Sequence, residues 1–210
     1  MATIYDLKPK FQACLRPAAA WLVGAGVTAN GVTLAALALS AAQGVWLVLA
    51  PGAALPLLLL PVTLFARMAL NAVDGLMAKE HGQASASGAV LNELSDVIAD
   101  AVLYLPFALI PGINGSLVVL VVVTGIIAEM AGALGPLIGS QRRYDGPLGK
   151  SDRAFAFGLL AVLIGAGLAP GLWTTAYLAV LLALGLLTIF NRARSIVAAA
   201  KTLRAEAPPP

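Results

Sequence analysis

The 210 residues are 60% apolar and only 11% charged, with a mean hydropathy of +0.92. A soluble domain carries about 25% charged residues, so water is not the main solvent of this surface, and no nucleic-acid partner is expected. The single Cys14 excludes an internal disulfide framework and zinc-cluster chemistry, and the formal charge of +3 matters by its placement rather than its sum.

Residues 1–30 read as an interfacial segment rather than a cleavable signal, because Lys8, Lys10 and Arg16 interrupt them and no long apolar core precedes a small-residue site. Ile4, Leu7, Phe11, Cys14, Leu15, Ala18, Trp21 and Leu22 recur at helical spacing with the basic residues off that stripe. This predicts an amphipathic helix on the cytoplasmic leaflet, with Trp21 near the headgroups. Gly24 to Asn30 then turns the chain into the first apolar span.

Apolar spans follow at about 32–50, 53–78, 87–110, 115–138, 154–170 and 171–191, each near the roughly 20 residues that a hydrocarbon core requires. The connections Pro51-Gly52, Pro111 to Ser116 and Pro170-Gly171 hold no charged residue. Of the 13 Lys and Arg, every one except Arg67 lies in the N-terminal segment, the second or fourth connection, or the C-terminal tail. With six crossings those four segments share one face, the positive-inside pattern, and both termini are cytoplasmic. Five or seven crossings would scatter the positive charge over both faces. The fold expected is an all-α integral membrane protein: an interfacial helix in 1–30, a catalytic domain of six transmembrane helices in 31–195, and a cytoplasmic tail in 196–210 whose end, Glu206 to Pro210, is disordered.

Ionisable groups inside a span are functional candidates by default, since each costs several kcal/mol unless paired or hydrated. The second span carries Arg67, Asn71, Asp74 and Lys79, and the third Asn92, Glu93, Asp96 and Asp100. Asn71, Asp74 and Ala78 form one helical stripe; Gly88, Asn92, Asp96 and Asp100 recur every fourth residue and form another. Counting about 20 residues of 1.5 Å rise from the far side places Asp74 and Asn92 at the cytoplasmic boundary, Asp96 roughly 9 Å below it, and Asp100 near mid-membrane. Facing carboxylates at that depth repel. A bound divalent cation removes the repulsion, and hard oxygen ligands suit Mg²⁺, Mn²⁺ or Ca²⁺. The bland alternative is a set of interhelical hydrogen bonds.

Asn71-Ala-Val-Asp74-Gly75-Leu-Met-Ala78-Lys79, eight residues, Gly88, three residues, Asn92, three residues, Asp96 resembles the signature of the CDP-alcohol phosphotransferases. That signature reads D-x-x-D-G-x-x-A-R, eight residues, G, three residues, D, three residues, D. The resemblance implies transfer of a phosphatidyl-type group from a CDP-linked lipid, such as CDP-diacylglycerol, to an alcohol, with release of CMP in phospholipid biosynthesis. It implies Mg²⁺ or Mn²⁺ held by Asn71, Asp74, Asn92 and Asp96, with Asp96 also the general base. Gly75, Ala78, Lys79 and Gly88 would line the CDP pocket. Asn71, Asn92 and Lys79 depart from the pattern: an Asn carbonyl coordinates without bringing charge, and Lys lacks the bidentate fork of Arg. Glu93 and Asp100 are candidates to compensate.

A second polar cluster runs from Gln141 to Arg153, followed by Asn191-Arg192-Ala193-Arg194 after the last span. For Arg142 and Arg143 topology-setting charge is the better reading. Lys150, Arg153, Arg192 and Arg194 match the place where family members bind an acceptor phosphate, although not an exact motif. Glu129, buried by sequence, either pairs with Arg67 or hydrogen-bonds the acceptor; His81 reads as solvated. The partners expected are the CDP-linked lipid, a small alcohol or polyol-phosphate acceptor, membrane lipid and, optionally, a second copy of the chain, in a bacterial inner membrane with the site on the cytoplasmic side. Competing functions are a small transporter or channel with an acidic ion path, a pseudo-enzyme that binds nucleotide without turnover, and a membrane scaffold.

Overall fold

The chain is all-α in a computed structural model that describes residues 4–206, with side chains for 11–201. Its helices are α1 (Ile4–Gly24), α2 (Ala29–Leu49), α3 (Ala54–Glu80), α4 (Ala86–Tyr104), α5 (Gly115–Ala133), α6 (Lys150–Gly165) and α7 (Leu172–Glu206). Short 3-10 turns at Leu105–Leu109 and Gly135–Ile138 extend α4 and α5. Every predicted span has a helix, but their lengths differ. Four are long and apolar enough to cross a bilayer: Ala29–Leu49, Ala54–Glu80, Gly115–Ile138 and Leu172–Lys201. By contrast α4 carries Glu93, Asp96 and Asp100, and the 16 residues of α6 rise only about 24 Å.

Helix ends depart from span ends for local reasons. The helix of the fifth span, α6, stops at Gly165, short of the predicted 170, before Gly167 at φ +100°, a conformation that favours glycine. The sixth does not stop at 191. It runs 35 residues to Glu206, because Ala, Arg, Lys and Leu keep helical propensity after the apolar run ends. Residues 207–210, and with them most of the predicted disordered end, lie outside the described residues.

Backbone contacts divide the chain into two units, one holding residues up to Trp46 with Leu59–Leu103, the other Leu47–Leu58 with the rest from Tyr104. In the first, a core of Ala19, Ala29, Val32, Val73, Leu76 and Met77 joins α1, α2 and α3, with Leu15, Leu22 and Val23 packed against it. The predicted stripe of α1 is therefore split. Leu15 and Leu22 face protein, while Cys14, Ala18 and Trp21 (71% exposed) do not; the side chains of Ile4 and Leu7 lie outside the described residues. Arg16 fastens α1 to the end of α3, its Nε 3.0 Å and its Nη2 3.0 Å from the Glu80 carboxylate. Gly44 brings α2 against α4: a Cβ there would sit 2.5 Å from the Val102 carbonyl oxygen, the close approach that small residues allow between membrane helices.

In the second unit α5 packs along α7. Tyr104 stacks on Phe157 with ring centroids 4.2 Å apart, and Phe107 meets Phe157 edge-on. Asn114 caps α5 by accepting from Leu117 N at 3.2 Å, and Asp152 closes the start of α6 on Gly149 N at 2.9 Å.

Candidate functional site

The two predicted stripes face each other in the first unit as a ladder. Arg67 Nη1 donates to Asp100 Oδ1 at 2.5 Å. Four residues on along α3 and four back along α4, Asn71 Nδ2 donates to Asp96 Oδ1 at 2.9 Å. The same step leads to Gly75 with Asn92, then Lys79 with Gly88, and all four of these residues line a cavity of about 340 Å³. The deep rungs are thus closed by side-chain contacts, and the outer rungs open into space.

That cavity is lined by every signature position except Asp96: Asn71, Asp74, Gly75, Ala78, Lys79, Gly88 and Asn92. A Cβ on Gly75 would meet nothing within 4 Å, so the α3 backbone is open to the cavity there. A Cβ on Gly88 would lie 2.7 Å from Asn30 Oδ1 and 2.9 Å from Ser85 Oγ, so glycine keeps the start of α4 close to α2. Asp74 is buried, and the Thr33 hydroxyl lies 2.6 Å from its Oδ2 and 3.1 Å from Ala29 O. One hydroxyl proton serves one strong bond, and the shorter contact to a charged acceptor takes it. Gln83, from the loop between α3 and α4, accepts from Ala29 N at 2.6 Å and closes the rim.

Arg67 is 4% exposed and touches Asp96 twice as well, through Nη2 to its carbonyl oxygen at 2.9 Å and to Oδ1 at 3.5 Å. Two carboxylates of α4, Asp96 and Asp100, thus share the one guanidinium of Arg67. Among the described residues no three His, Cys, Asp or Glu side chains gather as a ready-made cation cage. The oxygens that suit a hard cation are the Asp74 and Asp96 carboxylates and the Asn71 and Asn92 amides. The Asp96 side chain is 23% exposed, against 9% for Asp100. Glu93 is half-buried on α4, and His81 is exposed.

The second unit holds a different cluster. Glu129 on α5 pairs through Oε1 with Arg153 Nη2 at 3.0 Å and Arg192 Nη1 at 3.5 Å, and through Oε2 with Arg142 Nη2 at 3.0 Å. Arg192 also donates to Ala128 O at 2.5 Å and to Asp145 O at 3.3 Å. Arg153 and Arg192 are 3% and 2% exposed, whereas Arg194 is exposed and Lys150 half-buried. A Cβ on Gly125 would lie 3.0 Å from Arg153 Cδ and one on Gly132 3.2 Å from Arg192 Nη1, so small residues make room for both guanidiniums. Three arginines gather on the one Glu129 carboxylate. Glu129 thus pairs with arginines of its own unit, and Arg67 with the acids of α4. Arg142 is part of this network, more than a topology charge.

Sequence reasoning missed Thr33, Asn30 and Gln83. A lone Thr in an apolar helix carries no signal; Asn30 and Gln83 read as turn and loop residues. Only the pairing of helices reveals them.

No family model matches the sequence. The chain is 47% identical over 195 residues to inner membrane protein YnbA of Escherichia coli, covering 93% of this chain and 96% of that protein. It is 30% identical over 165 residues to the archaetidylinositol phosphate synthase of Aeropyrum pernix, covering 78% of this chain and 80% of that one. The fold matches Mycobacterium tuberculosis phosphatidylinositol phosphate synthase with CDP-DAG bound at a TM-score of 0.72 and 19% identity, over 86% of this chain and 92% of that one. The same enzyme in complex with manganese and citrate matches at 0.72 and 20% identity, over 86% and 87%. The cavity, its lining motif and this kinship agree: the chain is a membrane protein of the CDP-alcohol phosphotransferase family.

Proposed function

We propose that the chain is a divalent-metal-dependent transferase that moves a phosphatidyl-type group from CDP-diacylglycerol to a phosphate-bearing alcohol and releases CMP. The observation that carries this reading is the cavity whose wall holds every signature position but Asp96, with Asn71 of that wall bonded to the Asp96 carboxylate behind it. Asp96 accepts the proton of the acceptor hydroxyl. The hydroxyl oxygen attacks the lipid-side phosphorus, the bond from that phosphorus to the CMP oxygen breaks, and CMP leaves. Asp74, Asp96, Asn71 and Asn92 would hold Mg²⁺ or Mn²⁺, which would offset charge on the diphosphate. Lys79 adds a positive charge at the rim, and Gly75, Ala78 and Gly88 let the nucleotide approach the helix backbones. The acceptor phosphate is taken by Arg153 and Arg192, with Lys150 and Arg194. Charge placement supports helices α2 to α7 as six crossings in residues 31–195, α1 on the leaflet, and the site and both termini on the cytoplasmic side of a bacterial inner membrane.

An ion path through the acids is disfavoured, because Asp100, the deepest of them, is held by Arg67. The acceptor is tested by a CMP-release screen of glycerol phosphate, inositol phosphate, glycerol, inositol and serine. Each charge-assisted contact is worth about 1.5–3 kcal/mol. Arg153→Ala or Arg192→Ala should then raise the acceptor KM roughly 10- to 100-fold and move the CDP-lipid KM far less. Turnover of an unphosphorylated alcohol that survives both substitutions would remove the phosphate site.

A further inference from the structure

We propose that Arg67, which lies outside the signature, is a positioning residue for Asp96. Three observations meet at this side chain. It is buried and lies one helical turn below Asn71 on the same face of α3. It reaches two successive acids of the α4 stripe, Asp100 through Nη1 and Asp96 through Nη2. It also accepts no compromise in register, since Nη2 donates to the Asp96 backbone carbonyl at 2.9 Å, fixing the main chain from which the Asp96 side chain springs. Within an α-helix that carbonyl's principal donor is the amide four residues on, so the guanidinium adds a second donor from a neighbouring helix.

Asn71 completes the hold. An aspartate at 71 would repel Asp96, whereas the amide donates to its Oδ1. Carboxylate, carbonyl and neighbouring acid are therefore tied to α3 by two residues four apart. Arg67 compensates part of the charge at the site, and its fork geometry does what a point charge cannot: two acceptors on different residues are met at once. This rests on the reading of Asp96 as a metal ligand and base.

The test pairs Arg67→Met with Asp100→Asn. The double variant removes one positive and one negative charge, so the charge sum at the site is unchanged and an altered metal response reports geometry. Purified protein in lipid nanodiscs is titrated with Mn²⁺ while its melting temperature is followed, and CMP release from CDP-diacylglycerol is measured in parallel. The double variant should melt within a few degrees of wild type without metal. It should need on the order of ten-fold more Mn²⁺ for half-maximal stabilisation and lose at least ten-fold in kcat, with the CDP-lipid KM within about three-fold. A salt bridge that served stability alone would give the reverse: wild-type metal response and turnover once both charges are gone. That result overturns the proposal. If the double variant does not fold, Arg67→Lys keeps the question open to decision. One ammonium cannot span both acceptors, so it should raise the half-saturating Mn²⁺ about three-fold, and an unchanged value overturns the proposal equally. Wild-type protein that binds Mn²⁺ but releases no CMP would sink the functional reading and leave the metal arm of this test intact.

Discussion

Asn71→Asp restores the family's aspartate and should destabilise the metal-free protein. Asn71 Nδ2 now donates to Asp96 Oδ1 at 2.9 Å; the substitution places a carboxylate oxygen where that donor stood. The lost hydrogen bond to a charged group is worth about 1.5–3 kcal/mol. Two unit charges about 3 Å apart at an effective dielectric of about 20 repel by roughly 5–6 kcal/mol before the side chains part or one takes up a proton. After such relaxation a net loss of about 2–4 kcal/mol is expected, which for a chain of this size lowers Tm by roughly 5–15 °C. The assay is a melting curve in nanodiscs, first with chelator and then with millimolar Mn²⁺. The variant should start lower and gain more from Mn²⁺ than wild type, because the ion resolves the repulsion it meets. Equal metal-free melting temperatures and equal gains would mean that the Asn71–Asp96 contact carries no weight and that Asn71 does not face the metal.

Three further outcomes are expected. With Cys14 replaced, cysteine at 114 should be labelled only from outside and at 145 only from inside; the opposite pattern inverts the topology. Gly88→Ala should raise the CDP-lipid KM about ten-fold by pushing Asn30 and Ser85, 2.7 and 2.9 Å from the new Cβ, into the cavity; an unchanged KM would place the nucleotide elsewhere. The Arg16 hydrogen bond, opposed by desolvation and aided by the Arg16 charge, holds the Glu80 carboxyl below its usual value. The folded state is then the one with the lowered value, so the contact is present above the ordinary carboxylate range and fades as pH falls through the lowered one. Spin labels on α1 and α3 should show the α1 anchor loosening in acid, and Glu80→Gln should abolish that pH dependence.

The site was legible where helical periodicity converts spacing into a face. Asn71 and Asp74, and Asn92, Asp96 and Asp100, each fell on one stripe, and a short connection made the two helices antiparallel neighbours. What sequence could not supply was the partner of each group. Arg67 had carboxylates on two helices to choose from, and the choice depends on register, which one-residue steps along α4 would change. Glu129 had the same ambiguity, resolved by Gly125 and Gly132, whose missing side chains admit Arg153 and Arg192. Each apolar run announced a helix, but helix limits follow propensity and turn geometry. Hence α7 continues to Glu206 and α6 ends before Gly167. The face of α1 was only half legible, because its apolar residues are divided between protein contact and exposure, and a periodic stripe does not say which is which.

The central claim is tested most directly by CMP release from CDP-diacylglycerol with Mg²⁺ or Mn²⁺ present or chelated, in wild type, Asp74→Ala and Asp96→Ala. Release in wild type that vanishes with chelator, and is lost by at least a hundred-fold in either variant, is the predicted result. Release that persists in chelator, or that both variants retain, would contradict the account.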